Sequence, residues 1–324
     1  MDELADFGCG DGVQAVIGAS QTHPITVADQ DAMVRLRAAS AANKGSLRGV
    51  AARPAFEAYT RGVAAPEGVT FRPDEIGGVQ GWWCEPADVL PDVAILHAHG
   101  GWFSWGSAEG FRHIVGHIAR SARAKAFVPE YRLAPEHRFP AACQDVEACF
   151  HGLADRVRRI ALTGDSAGGN LALGLLGRLA ALRRLDKIVG ALVLSPVTDL
   201  VMAGASWISR AEADPFFVRE QVAELVQAYL GDQDASHPMA SPLYGDLEGL
   251  PPIRVHVGGD EVLLDDAVRY VEHAIAASVD AKAHIWEGMP HGFADNVGQF
   301  EAGADALSAI GDFLRERFDA ATVS

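Results

Sequence analysis

From residue 67 onward the chain alternates between two hydrophobic periods. Apolar runs of six to eight residues, dense in Val, Ile, Leu and aromatic side chains, are followed by longer stretches with helical spacing. The runs "GVTFRP", "VQGWWCEP", "DVAILHAH", "KAFVPEY", "RRIALTG", "IVGALVLS", "IRVHVGG" and "AKAHIWE" predict eight strands. Helices are predicted near 108–122, 140–154, 167–184, 265–278 and 302–318. Most of the runs are nearly continuously apolar, which is the mark of strands covered on both faces. The expected fold is therefore α/β, a single domain over residues 1–324 with an eight-stranded, mostly parallel sheet between two layers of helices.

Two segments break this alternation. Residues 1 to about 60 precede the first strand and read as helical and polar. Residues 200–235, containing "SWISRAEADPFFVREQVAELVQAYLG", insert a further amphipathic helix after the sixth strand. Both are too long for plain connections. Segments of this kind beside strand ends are expected to form a helical cap over a site, the alternative being packing decoration.

Composition narrows the function classes. Apolar residues make up 49% of the 324 positions, enough for a large core. The net charge of −16, without a basic block to offset it, argues against nucleic acid or an anionic membrane surface as partner. No apolar run approaches the ~18–20 residues of a membrane span. The acidic start "MDELADFGCGDG" lacks the build of a signal peptide. Cys9, Cys84, Cys143 and Cys149 form no CxxC pair. They read as reduced thiols, so a cytoplasmic location is expected. His97 and His99 are spaced to share one strand face, but nearby carboxylate or cysteine partners are lacking, so no metal site is expected. The expected partner is a small molecule, and the sequence leaves monomer or homodimer open.

The stretch "GDSAGGNLALGLLGRLAAL" (164–182) carries the first chemical signal. Ser166 stands where an apolar strand turns into a long helix, flanked by Gly164 and Gly168. A G-x-S-x-G turn of this kind exposes a nucleophile on a strained bend, and the helix N-terminus favours negative charge beside it. The plainer reading is a capped helix start, with Asp165 or Ser166 as the cap. A serine nucleophile needs a base, a group to orient that base, and donors for an oxyanion. "GGDEVLLDDA" (258–267) and "EGMPHGF" (287–293) each follow a strand, in the order serine, acid, histidine used by α/β-hydrolases. His291 is the candidate base, and Asp260 or Glu261 the candidate acid. Upstream, "LHAHGGWFSWGS" (96–107) places glycines after a strand, where backbone N–H groups can turn toward a site.

Taken together, "HGGW", "YRLAPEHRFPAA" (131–142), "GDSAGG", "EVLLDDA" and "MPHGF" resemble the bacterial hormone-sensitive-lipase-like (family IV) carboxylesterases, from about residue 65 to the C-terminus. The resemblance implies an α/β-hydrolase fold, hydrolysis of carboxylic esters and no cofactor. By position it implies oxyanion donors at the N–H groups of Gly101, Trp102 and Ala167. It also implies that Tyr131, Arg132 and Glu136 tie loops together. In the family the acid lies thirty residues before the histidine and nine after a Pro-Pro, registers that Glu261 meets relative to His291 and Pro252. Asp260 stays open as the commoner residue type with the stiffer side chain. Whichever carboxylate is not the acid is expected to cap the helix starting near Asp265. One departure stands out: Trp102 replaces the family's third glycine. The N–H donor survives that change, but the indole is expected to crowd the site.

The function that follows is serine hydrolysis of short-chain carboxylic esters through an acyl-enzyme, with acyl groups of about two to six carbons favoured. Lactones, arylformamides and amides present the same parts to the same triad and remain open as substrates. A non-catalytic ligand receptor on this fold is the rival from another class, and the presence of His291 argues against it.

Overall fold

A computed structural model of the chain describes residues 20–320. All eight expected strands form: β2 Val69–Ile76, β3 Val79–Pro86, β4 Val93–Ala98, β5 Lys125–Pro129, β6 Arg159–Asp165, β7 Ile188–Leu194, β8 Ile253–Gly258 and β9 Ala281–Trp286. A ninth, β1 Ser20–His23, was not expected. The sheet order is β1-β9-β8-β7-β6-β4-β5-β3-β2. All neighbours are parallel except β2 with β3 and β3 with β5.

The five expected helices are α3 Ala108–Ala122, α4 Ala141–Ala154, α5 Ser166–Ala181, α8 Leu264–Ala276 and α9 Glu301–Ala320. Side-chain alternation along β4 shows why its run is apolar throughout. Ala94, Leu96 and Ala98 join the core with Val146 of α4, Leu171 of α5 and Val271 of α8. Val93 and Ile95 join the opposite core with Ile114 of α3 and Ile310 of α9. Both faces are buried, so a polar residue has few places on the strand.

The early segment is helical only in part. It contains α1 Val27–Ser40, a 3₁₀ turn at Val50–Ala52 and α2 Arg53–Arg61. Thr26 caps α1 by accepting from the Asp29 N–H at 3.1 Å. Residues 1–19 of the expected cap lie outside the described residues. The insertion after β7 holds α6 Ser206–Ser209 and α7 Arg219–Leu230.

Strand β1 escaped the sequence reading because "SQTH" is four residues long and has no apolar alternation. Rings hold it in place. His23 stacks on Trp286 at 3.9 Å and 8°, and its Nε2 lies 3.0 Å from His284 Nδ1. His256 stacks on His284 at 4.5 Å and accepts from the Trp286 indole N–H at 3.2 Å. Burial, then the neighbouring His23, Lys282 and Arg254, pushes His284 down to about 4. Burial likewise lowers His256 well below its usual range, and lowers His23 against the opposing charge of Asp305.

A histidine neutral in the fold but titrating near ~6.5 when unfolded contributes stability that is full above that pH and is lost as pH falls toward its folded value. His284→Phe keeps a ring and removes this titration. Between pH 7.5 and 4.5 the wild type should therefore lose thermal stability faster than the variant. A difference in Tm that stays constant with pH would contradict the assignment.

Candidate active site

The serine turn is built by close approach. Strand β6 ends at Asp165, and α5 begins at Ser166, whose φ of +52° lies in the left-handed region. A side chain held there stores strain, and the surrounding packing must enforce it. A Cβ at Gly168 would sit 1.9 Å from the carbonyl oxygen of Ala98 on β4. Only glycine lets α5 start so near the neighbouring strand. Asp165 does not cap α5, contrary to one of the sequence readings. Its carboxylate instead accepts from the Gly100 N–H at 3.0 Å and lies 3.3 Å from His97 Nε2. Burial pushes it up to about 7, opposed by His291 and by backbone donors.

His291 and Glu261 meet above the sheet. His291 Nδ1 is 2.7 Å from Glu261 Oε2. The other carboxylate oxygen of Glu261 accepts from the Ser195 hydroxyl at 2.7 Å and the Gly258 N–H at 2.6 Å. Glu261 is 0% exposed, so these donors replace its water. Burial pulls the His291 imidazole down, but the Glu261 charge and hydrogen bond, with Asp214 and Asp295, carry it above its ordinary value. Asp260 points away and forms an ion pair with Arg37 of α1. It caps nothing: the residue before α8 is Leu263, which makes no side-chain cap, so that expectation is corrected. Ser195 was read only as a strand end. Its role as a donor to Glu261 has no signal in local sequence.

The glycine-rich loop after β4 curls back on itself. Gly101 has φ +114°, and a Cβ there would meet the Trp105 carbonyl at 2.3 Å. Trp102 and Phe103 follow at φ +50° and +58°. Trp102 thus keeps a conformation that glycine adopts freely, and burial of both rings offsets the strain. Phe103 stacks on Tyr229 at 3.8 Å. Trp102 stands edge-on to Phe217 at 5.4 Å, and Phe217 stands edge-on to His291 at 5.0 Å. Among the described residues, no protein acceptor pairs with the N–H of Gly101 or Trp102. The N–H of Ala167, in the first turn of α5, has no partner within the helix.

The α/β-hydrolase-fold family matches residues 95–295. An acetyl-hydrolase of Streptomyces hygroscopicus is 33% identical over 245 residues, covering 74% of this chain and 81% of that protein. An esterase of Acinetobacter venetianus is 32% identical over 267 residues, covering 81% and 88%. The crystal structure of an esterase from the bacterial hormone-sensitive lipase family superposes with a TM-score of 0.83 at 33% identity, covering 90% of this chain and 98% of that one. The chain belongs to the α/β-hydrolases, in the hormone-sensitive-lipase-like esterase family.

In this family member the "YRLAPE" stretch ties loops together. Tyr131 donates to the His99 carbonyl at 2.7 Å, Arg132 pairs with Asp145, and Glu136 pairs with Arg53 of α2. His97 and His99 are both buried, and burial pushes them down to about 3 and about 4. His97 Nδ1 bonds the Thr163 hydroxyl at 2.9 Å, and His99 stacks on Tyr131 at 4.2 Å. Among the described residues no group of three or more His, Cys, Asp or Glu is arranged to hold a metal ion. No helix there is long and apolar enough to cross a membrane.

A cavity of about 580 Å³ opens onto Ser166, Trp102 and His291. Both inserted segments contribute to its lining, Phe56 and Tyr59 of α2 from one and Phe217 from the other. A second cavity, of about 380 Å³, lies between α5 and residues 238–248 and contains none of the candidate groups.

Proposed function

We propose that this family member is a serine carboxylesterase, acting on small carboxylic esters with Ser166, His291 and Glu261 as its triad. The observation that carries the reading is the 2.7 Å bond between His291 Nδ1 and a fully buried Glu261, on a cavity that Ser166 also faces. The esterase names of relatives at 32–33% identity support the same reaction class. Glu261 fixes the proton on Nδ1, so Nε2 presents its lone pair. Ser166 Oγ attacks the acyl carbon as Nε2 takes its proton. The imidazolium then returns the proton to the leaving alkoxide, and water repeats the two steps on the acyl-enzyme. The N–H groups of Gly101, Trp102 and Ala167 receive the oxyanion, and the first two have no competing protein acceptor.

Among the described residues, 20 to about 60 and 200–235 act as the cap, supported by the cavity wall that parts of both supply. The free thiols of Cys84, Cys143 and Cys149 accord with a cytoplasmic setting.

Ser166→Ala should lower ester turnover by several orders of magnitude with the fold intact. Retention of even a tenth of the activity would dismiss the nucleophile. Glu261→Gln should cost up to ~10⁴ in kcat, because the neutral amide no longer fixes the imidazole tautomer. Asp260→Asn should cost less than about tenfold, since that side chain reaches Arg37 and not the base. The reverse ranking would move the acid role to Asp260.

The pH profile has a defined sign. Only neutral His291 accepts a proton, and its carboxylate neighbours favour the charged form. Activity should therefore fall with decreasing pH through a midpoint above the usual ~6.5. A midpoint well below that value would contradict the charge balance around the imidazole.

A further inference from the structure

The loop that carries Glu261 is held by both inserted segments. Asp214, in the turn between α6 and α7, is 0% exposed. Its Oδ2 accepts from the Val262 N–H at 2.9 Å, one residue beyond Glu261. Its Oδ1 accepts from the N–H groups of Phe216 and Phe217 at 2.8 and 2.9 Å. Both oxygens thus face only N–H donors, an arrangement suited to a carboxylate and not to a carboxylic acid. Phe217, fixed by this turn, sets its ring edge-on to both His291 and Trp102.

From the earlier inserted segment Arg37 of α1 pairs with Asp260, one residue before Glu261, and its Nε lies 3.5 Å from the Ala213 carbonyl, next to Asp214. Residues 260 and 262 are therefore each tied to the cap, while Glu261 between them holds the imidazole.

We propose that Asp214 is a positioning residue for the reaction: it clamps the Glu261 turn through Val262 and seats Phe217 on His291, with Arg37 closing the clamp through Asp260. The cap is then part of the catalytic framework as well as the wall of the cavity. Neither Asp214 nor Arg37 lines the cavity, but Phe217 does, so Asp214 reaches the pocket wall through Phe217 while Arg37 acts on the Glu261 turn. The clamp rests on the triad reading above. Four carboxylates act on the imidazole, namely Glu261, Asp214, Asp295 and Asp165. Asp214 alone among them also anchors the neighbouring turn.

Asp214→Asn supplies one acceptor oxygen where two are in use, so either Val262 or the Phe216–Phe217 pair loses its acceptor. It also removes a negative charge near His291, which disfavours the imidazolium. For folded Asp214→Asn, kcat for a small p-nitrophenyl ester should drop at least about tenfold, a larger change than any rise in KM. The acid limb of kcat/KM should move to lower pH by about half a unit. A purely structural role would leave that limb in place, and an unmoved limb or an unchanged kcat overturns the proposal.

If Asp214→Asn fails to fold, Arg37→Met decides, since its side chain is 40% exposed and its loss leaves the core intact. It should lower kcat about three- to tenfold at constant KM. Asp260→Asn should reproduce the loss, and the double variant should be no worse than either single, because both break one contact. Wild-type kcat in both would overturn the clamp. Failure of the triad reading looks different: it shows as activity retained in Ser166→Ala, or as a wild type with no acid limb at all.

Discussion

A buried carboxylate must be given donors in place of the water it has lost, and Glu261 is given three. The His291 imidazole, the Ser195 hydroxyl and the Gly258 N–H come from the loop after β9, the end of β7 and the end of β8. That requirement fixes the relative heights of three strand ends and aims one side chain into the cavity. Removing any one donor leaves a buried charge short of a partner, at a cost of about 1–3 kcal/mol. The parallel sheet makes the arrangement possible, because parallel strands deliver all their C-terminal ends to the same edge. Ser166, at the end of β6, reaches that edge by the close approach of Gly168 to Ala98.

Much of this was legible in the residues. The central strands were readable because burial on both faces leaves unbroken apolar runs, as β4 shows. Strand β2 is largely exposed and was read from its β-prone residues and flanking turn signals. Ser166 and His291 were readable because their glycine and strand contexts are rare in combination. Strand β1 was not, since its stability comes from rings on β8 and β9 that are more than 230 residues away in sequence. The partners of Asp260 and Glu261 were beyond local reading for the same reason. Adjacent residues on a turn point in different directions, and what each meets depends on α1 and on the end of β7. Family register pointed to Glu261, and the described geometry pairs that residue with His291 while Asp260 meets Arg37. The role expected of Asp260 as a helix cap failed because α8 starts at Leu264 without a side-chain cap.

Trp102 shows how a site absorbs a departure from its family's pattern. The loop keeps the left-handed backbone that a third glycine would adopt, and the indole is buried against Phe217. The substitution therefore binds the glycine-rich loop to the inserted segment through aromatic contact. With Phe217 also against His291, one residue of the inserted segment touches both the candidate oxyanion loop and the candidate base. Such contacts favour an inserted segment that moves little relative to the candidate site, and a pocket whose shape is set by rings and not by flexible chains.

On the proposed mechanism Ser166 becomes the nucleophile because His291, oriented by Glu261, accepts its proton. Its most direct test is to react the protein with a fluorophosphonate across a pH series, then locate the adduct by peptide mass mapping. The expected product is a single phosphonyl group per chain, on Ser166, formed at a rate that falls toward acid pH through a midpoint above ~6.5. Modification at another residue, or a Ser166 adduct forming at a pH-independent rate, would contradict it.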